Sequence, residues 1–179
     1  MTTRATEQLV VLLDADGRPA GSMPKADVHG PDTPLHLAFS VYLFDSGGRL
    51  LVTRRALGKR TWPGVWTNSC CGHPGPGEDP AVAAERRLDE ELGLRPDRLE
   101  LVLPDFRYRA VAADGIVEHE VCPVFFAWIQ GDPEPTPTPD PEEVADWRWV
   151  PWASFRDVAA TAPWALSPWA VEQVAALPG

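Results

Sequence analysis

Apolar residues along the chain fall into short runs separated by turn residues, with one long segment of a different period. "EQLVVLLDADGRPAG" reads as a strand, an Asp-Gly turn and a second strand. "ADVHGPDTPLHLAF" is broken by Pro31 and Pro34, which makes it a loop leading into a strand. "HLAFSVYLFDSGGRLLVTRRA" predicts two strands around a Gly-Gly turn, the second ending in the basic run "RRALGKR". "TWPGVWTNSCCGHPGPGED" is rich in glycine and proline and reads as a loop. Then the period changes. Ala84, Leu88 and Leu92 recur every four residues and predict an apolar helix stripe. Asp79 suits the N-cap, Pro80 the first helical position and Gly93 the C-cap, with Leu94 beyond it for a hydrophobic contact. "LELVLPDFRYRAV" and "IVEHEVCPVFFAWI" return to strands, joined by an Ala-Asp-Gly turn. Residues 131–142 form a proline-rich segment expected to be a mobile surface loop. A short strand, "ADWRWVPW", and helix around "SPWAVEQVAAL" complete the pattern. Strands with one strong central helix and later helices define a mixed α/β (α+β) domain, expected to be single over residues 1–179.

Composition narrows the function. The chain has 179 residues, 44% of them hydrophobic, enough for one domain with a real core. Its 26 acidic residues against 16 Lys and Arg leave a net charge of −10. That balance argues against a nucleic-acid partner, which needs basic surface for phosphate contacts. It leaves a small anionic substrate open, because local cations and metals outweigh the global field. Three cysteines, Cys70, Cys71 and Cys122, make no disulfide framework, and a reducing cytoplasmic setting fits them. The N-terminal stretch lacks a signal-peptide layout. Its apolar run is too short to cross a membrane, so no membrane partner is expected.

Candidate chemistry gathers in four groups. His29, His36 and His73 occupy loop or strand-entry positions. In "VEHEV", strand alternation turns Glu118 and Glu120 to one face and His119 to the other. Two carboxylates side by side repel unless a cation or shared proton relieves them. His29, His36, His73, Glu118 and Glu120 could therefore hold one divalent ion, and nitrogen mixed with carboxylate oxygen suits manganese, zinc or iron over magnesium. Lys25, Arg55, Lys59 and Arg87 are either solubilising charges or a pocket for a diphosphate. Cys71 is either a small buried apolar residue or, next to His73, a tuned thiol. Among eight tryptophans, mostly core by default, Trp169 could offer its π face to a cation.

The helix adds a longer pattern. Gly72, five residues, Glu78, seven residues, Arg86, then "RLDEELGL" resembles the Nudix box, with Arg87 where the box has a glutamate. Arg86 and Glu90, and Arg87 and Glu91, share faces four residues apart, as ordinary surface ion pairs also do. Acids on such a helix gather magnesium to activate water against a diphosphate. Replacing one by arginine removes a ligand and adds a cation, so the site should hold a diphosphate without cutting it.

With "LHLAFS", "LLVTRRAL", "WPGVWTNS", "CGHP", "LPDFRYRA", "GIVEHEVCPVF" and "PWALSPW", nearly the whole chain resembles the type I isopentenyl-diphosphate isomerases. The resemblance implies a Nudix-like fold, a mixed sheet sandwiched by helices. It implies interconversion of isopentenyl and dimethylallyl diphosphate through a tertiary carbocation. It assigns His29, His36, His73, Glu118 and Glu120 to a manganese- or zinc-type ion, and Glu91 with the Cys71 backbone oxygen to Mg2+. Lys25, Arg55, Lys59 and Arg87 would bind phosphate oxygens, Cys71 and Glu120 would be the acid/base pair, Tyr108 would lie near the acid and Trp169 over the hydrocarbon. A monomer is expected, with a dimer as the other option. The competing readings are a Nudix diphosphate hydrolase, which would want an acid at position 87, and a catalytically silent metal- or diphosphate-binding module.

Overall fold

The computed structural model describes residues 8–131 and 133–177. The strands are β1 (Leu9–Leu13), β2 (Pro19–Pro24), β3 (His36–Leu37), β4 (Phe39–Phe44), β5 (Arg49–Arg55), β6 (Trp66–Thr67), β7 (Cys70–Gly72), β8 (Arg98–Leu103), β9 (Arg107–Val111), β10 (Val117–Val121), β11 (Val124–Trp128) and β12 (Val144–Pro151). The helices are α1 (Lys25–Val28), α2 (Pro80–Leu92), α3 (Trp152–Thr161) and α4 (Pro168–Ala176), with a 3-10 turn at Pro163–Ala165. The expected mixed sheet is in fact two sheets. The larger runs β12-β5-β4-β11-β8, with β6 on β5 and β7 on β4; the smaller runs β2-β1-β3-β10-β9. Helices do cover both faces of the larger sheet. Phe39, Val41 and Leu43 of β4 pack with Ala84, Leu88 and Leu92 of α2, while Tyr42 and Phe44 pack with Phe155 of α3 and Trp169, Ala170 and Val174 of α4.

Two parallel pairs join the sheets. β3 runs beside β10 in one sheet and β4 beside β11 in the other, and each chain passes directly from the first pair to the second. Ala38 N donates to Val121 O at 2.9 Å and Ser40 N to Pro123 O at 3.1 Å, so the pairing continues through the break. Pro123 has no N–H to give, which suits it to a switch between sheets. Ala38, Phe39 and Ser40 at this junction line the cavity described below, together with Glu118 and Glu120 of β10.

α2 forms as its sequence predicts. Asp79 Oδ1 accepts from Ala81 N at 2.8 Å, and Gly93 ends the helix at φ 64°. Gly93 N donates to Asp89 O at 2.9 Å and Leu94 N to Leu88 O at 3.3 Å, closing the last turn. A Cβ on Gly93 would lie 2.0 Å from Thr138 Oγ1, so glycine is required there twice over, for its backbone and for its neighbour. Thr138 belongs to the proline-rich segment. Expected to be a mobile loop, that segment is tied to α2: Thr138 N donates to Leu92 O at 2.8 Å and Asp140 N to Glu91 O at 2.9 Å. Trp149 Nε1 holds Pro135 O at 3.0 Å. The helix end has carbonyls without intrahelical donors, and the segment supplies them.

Two further expectations are corrected. Residues 61–79, read as one loop, contain β6 and β7, and the segment after Pro24 makes a helical turn, α1. These elements are too short to show a hydrophobic period. Among the described residues, no helix is long and apolar enough to cross a membrane.

Candidate active site

Strand register builds the centre of the site. Glu120 of β10 is paired with His36 of β3 on one side and Tyr108 of β9 on the other, so three candidate side chains form one row. His29 follows α1 and His73 follows β7. The imidazole centroids lie 5.2 Å apart for His29–His36, 5.2 Å for His36–His73 and 5.7 Å for His29–His73. His29, His36, His73 and Glu120 each bring a ligand atom within 4.8 Å of the others. Glu118 stands just outside this group, with its Oε2 2.9 Å from His29 Nε2. His119 lies on the opposite side, in a separate shallow groove with Arg107 and Arg109.

The geometry of these donors fits a divalent cation. His36 Nδ1 faces the carbonyl of Pro34 at 2.9 Å, and a carbonyl can only accept, so the ring proton sits there. Nε2 is then left with its lone pair toward the cluster. It is 3.3 Å from Glu120 Oε1 but off the line a hydrogen bond needs, and it is buried without a hydrogen-bond partner, as is His73 Nδ1. Burial pushes the His73 imidazole down to about 4. Burial opposes the charge on Glu120, yet the flanking His36 and His73 outweigh it and hold its carboxyl well below the usual range. Unpartnered ring nitrogens on His36 and His73, converging with a carboxylate, are donors of the kind a transition metal takes.

The four cations of the expected diphosphate pocket come together. Lys25, Arg55, Lys59 and Arg87 all line one cavity of about 700 Å³ that also reaches Cys71, Tyr108, Glu118, Glu120 and Trp169. Burial, and then the charges of Arg87 and Lys59, push the Lys25 ammonium down from its ordinary value. Such crowding of positive charge favours an anionic guest. Arg55 is aimed by Thr61, whose carbonyl accepts from Nε at 3.1 Å and Nη2 at 2.9 Å. Arg87 reaches Glu90 at 3.0 Å, pairs with Glu91, and lies 3.2 Å from Glu143. Glu91 is buried behind Arg87 and does not line the cavity. Arg86 turns away, bridging Glu78 at 2.8 Å and Glu90 at 3.1 Å.

A different wall carries Cys71 and Trp169. β7 places Cys71 opposite Ser40 of β4. Burial pushes the Cys71 thiol up to about 11, opposed by the hydroxyl of Ser40. Trp169 packs edge-on against Trp62 at 5.6 Å and lies 6.0 Å from Tyr108, with the Arg55 guanidinium 5.3 Å over its ring. The Tyr108 phenol is pushed well above its ordinary value by burial and by the Glu120 charge.

Three residues of the site have no signature in the sequence. Glu143, which pairs with Lys59 and Arg87, follows the proline-rich segment without any motif. Asn68 and Ser40 reach Cys71 only because β6, β7 and β4 assemble. Asn68 in "NSCC" sits close to the cysteines, and that proximity is the only hint the sequence offers.

A cluster of imidazoles and carboxylates able to hold a metal ion, beside a basic cavity and with the boxed helix α2 packed on a mixed sheet, points to a NUDIX protein, and residues 34–170 match the NUDIX domain family. Solved structures agree on the fold. A protein from Deinococcus radiodurans superposes with a TM-score of 0.70 at 19% identity, covering 96% of this chain and 100% of that one. A MutT protein from Methanosarcina mazei Go1 superposes with a TM-score of 0.61 at 16% identity, covering 80% and 92%. Sequence relatives are much nearer. The isopentenyl-diphosphate Delta-isomerase of Frankia alni is 68% identical over 167 residues, covering 93% of this chain and 84% of that protein. The protein of the same name from Mycolicibacterium vanbaalenii is 62% identical over 169 residues, covering 94% and 91%. The chain belongs to the NUDIX family and, within it, to the family of these isopentenyl-diphosphate Delta-isomerases.

Proposed function

We propose that this protein interconverts isopentenyl diphosphate and dimethylallyl diphosphate by adding one proton and removing another. The observation that carries this reading is Arg87. It stands at an acid position of the box and faces the cavity, where it joins Lys25, Arg55 and Lys59 as a grip for phosphate oxygens. It also pairs with Glu91 on the same helix face.

The chemistry follows from the substrate. A proton added to the terminal methylene carbon leaves a tertiary cation, and loss of a proton two carbons away places the double bond next to the diphosphate-bearing carbon. The two transfers leave the proton count unchanged. Cys71 and Glu120 line the same cavity from different sheets and would carry them, exchanging roles in the reverse direction. Tyr108, beside Glu120, would steady the carboxyl. Water would trap the cation, and the wall of Trp169 and Trp62 keeps it out while offering no nucleophile.

His29, His36, His73, Glu118 and Glu120 would hold a manganese- or zinc-type ion, supported by the two orphaned imidazole nitrogens. Such an ion would supply positive charge that tunes the neighbouring carboxyl. Glu91 and the Cys71 backbone oxygen would hold Mg2+, which would supply positive charge beside the diphosphate. The protein is read as one domain over residues 1–179, a monomer with a dimer as the other option, and as working in the cytoplasm, with which three unpaired cysteines are in keeping.

Proton NMR in deuterated water tests the reading. Purified protein with isopentenyl diphosphate, magnesium and a trace of manganese should produce dimethylallyl methyl signals carrying deuterium. Unchanged substrate at full metal occupancy would reject the isomerase. Phosphate release in the same tube would favour a hydrolase instead.

A further inference from the structure

The Cys71 thiol and the Trp169 indole share a single hydrogen-bond acceptor, Oδ1 of Asn68. Asn68 is fully buried. Its Nδ2 donates to Val41 O and Cys70 O, both at 3.0 Å. Both partners are carbonyls, so the amide cannot be flipped: Nδ2 must face them and Oδ1 must face the other way. Oδ1 then accepts from Trp169 Nε1 at 3.2 Å, from Cys71 Sγ at 3.3 Å and from Thr67 Oγ1 at 2.8 Å. An indole nitrogen only donates, so its ring is pinned by this contact. On the far side of Cys71, Ser40 is oriented in turn. Tyr42 OH donates to Gln173 Oε1 and Gln173 Nε2 donates to Ser40 Oγ, both at 2.9 Å. That leaves the Ser40 hydroxyl proton for the sulfur of Cys71 or of Cys122, each 3.4 Å away.

We propose that Asn68 is the positioning residue of this wall, setting the direction of the Cys71 S–H bond and the plane of the Trp169 ring through one fixed carbonyl oxygen. This rests on the isomerase reading for its consequence in catalysis but not for its geometry. Asn68 does not line the cavity and would touch no substrate; it acts through the two groups that do.

The test reads the thiol directly. The S–H stretching band of Cys71 is assigned by infrared difference between the protein and Cys71→Ala. In Asn68→Leu the band should move to higher wavenumber as the bond to Oδ1 is lost. The same variant should lose about 100-fold in kcat, the scale on which misplacement by an ångström acts, with KM for isopentenyl diphosphate within about threefold because the phosphate grip is elsewhere. A folded Asn68→Leu with an unmoved band, or with the loss confined to KM, overturns the proposal. Should Asn68→Leu fail to fold, Trp169→Phe decides. It removes one competing donor from Oδ1, so the Cys71 band should move to lower wavenumber, and no movement overturns the shared-acceptor geometry. If the NMR experiment finds no isomerisation in the unmodified protein, the function falls while the infrared result still reads the role of Asn68.

Discussion

The two faces of β4 make opposite demands on the same six residues. Phe39, Val41 and Leu43 look toward α2, into a cluster built from Leu51, Ala83, Ala84, Leu88 and Leu92. Ser40, Tyr42 and Phe44 look toward α3 and α4, and here buried polar groups run through the core: Tyr42 to Gln173 to Ser40 to Cys71 to Asn68 to Trp169. The α2 face is held by non-directional contact, which depends on volume and apolar area. The α4 face has an apolar cluster of its own, and directional bonds run through it as well, each of which fails if one partner leaves. The contrast teaches where stability and function separate. One face anchors the boxed helix, and the other holds Cys71 and Trp169, to which the proposed reaction assigns its roles.

Three substitutions test that separation, from the largest effect to the smallest. Cys71→Ala should lower kcat by about 1,000-fold, within the range of a lost proton-transfer group. Its stability should shift by no more than about 1 kcal/mol, since only two weak hydrogen bonds to sulfur are lost. Urea unfolding alongside the NMR assay measures both, and a Cys71→Ala protein that still turns over would remove the thiol from the mechanism. Leu88→Ala should do the reverse. Fully buried beneath β4, Leu88 should cost about 2–5 kcal/mol of stability when truncated, with kcat of the folded protein nearly unchanged. A kcat that falls well before the protein unfolds would show that the α2 face also shapes the site. Tyr42→Phe is the finest probe. It leaves Gln173 Oε1 without its donor in the core and should cost about 1–3 kcal/mol. Because Gln173 can then rotate, it should also lower kcat, by less than Cys71→Ala does. A Tyr42→Phe protein with unchanged kcat would confine the chain's effect to stability.

α2 was legible almost residue by residue. Its cap, its first proline, its four-residue stripe and its terminal glycine are local devices, and local devices depend on neighbours in sequence. The metal candidates were legible too, because histidine is scarce in this chain and a Glu-x-Glu strand turns both acids to one side. β6 and β7 were hidden. Two and three residues long, within a run of glycine and proline, they are strands only because β5 and β4 offer them unpaired edges. With them went Asn68, whose amide has meaning only where Val41, Cys70, Cys71 and Trp169 converge.

By itself, the sequence determined the helix, its boundaries, the Arg87 exchange and the inventory of cations, imidazoles and carboxylates. These are matters of residue type and spacing, which neighbours along the chain decide. Tertiary structure alone decided that His36, Glu120 and Tyr108 form one row, that Glu143 joins the cations, and that Asn68 holds thiol and indole together. Each of those depends on strand register or on a segment returning from far along the chain. Such contacts are selected by closure of the core as a whole, and no local pattern records them.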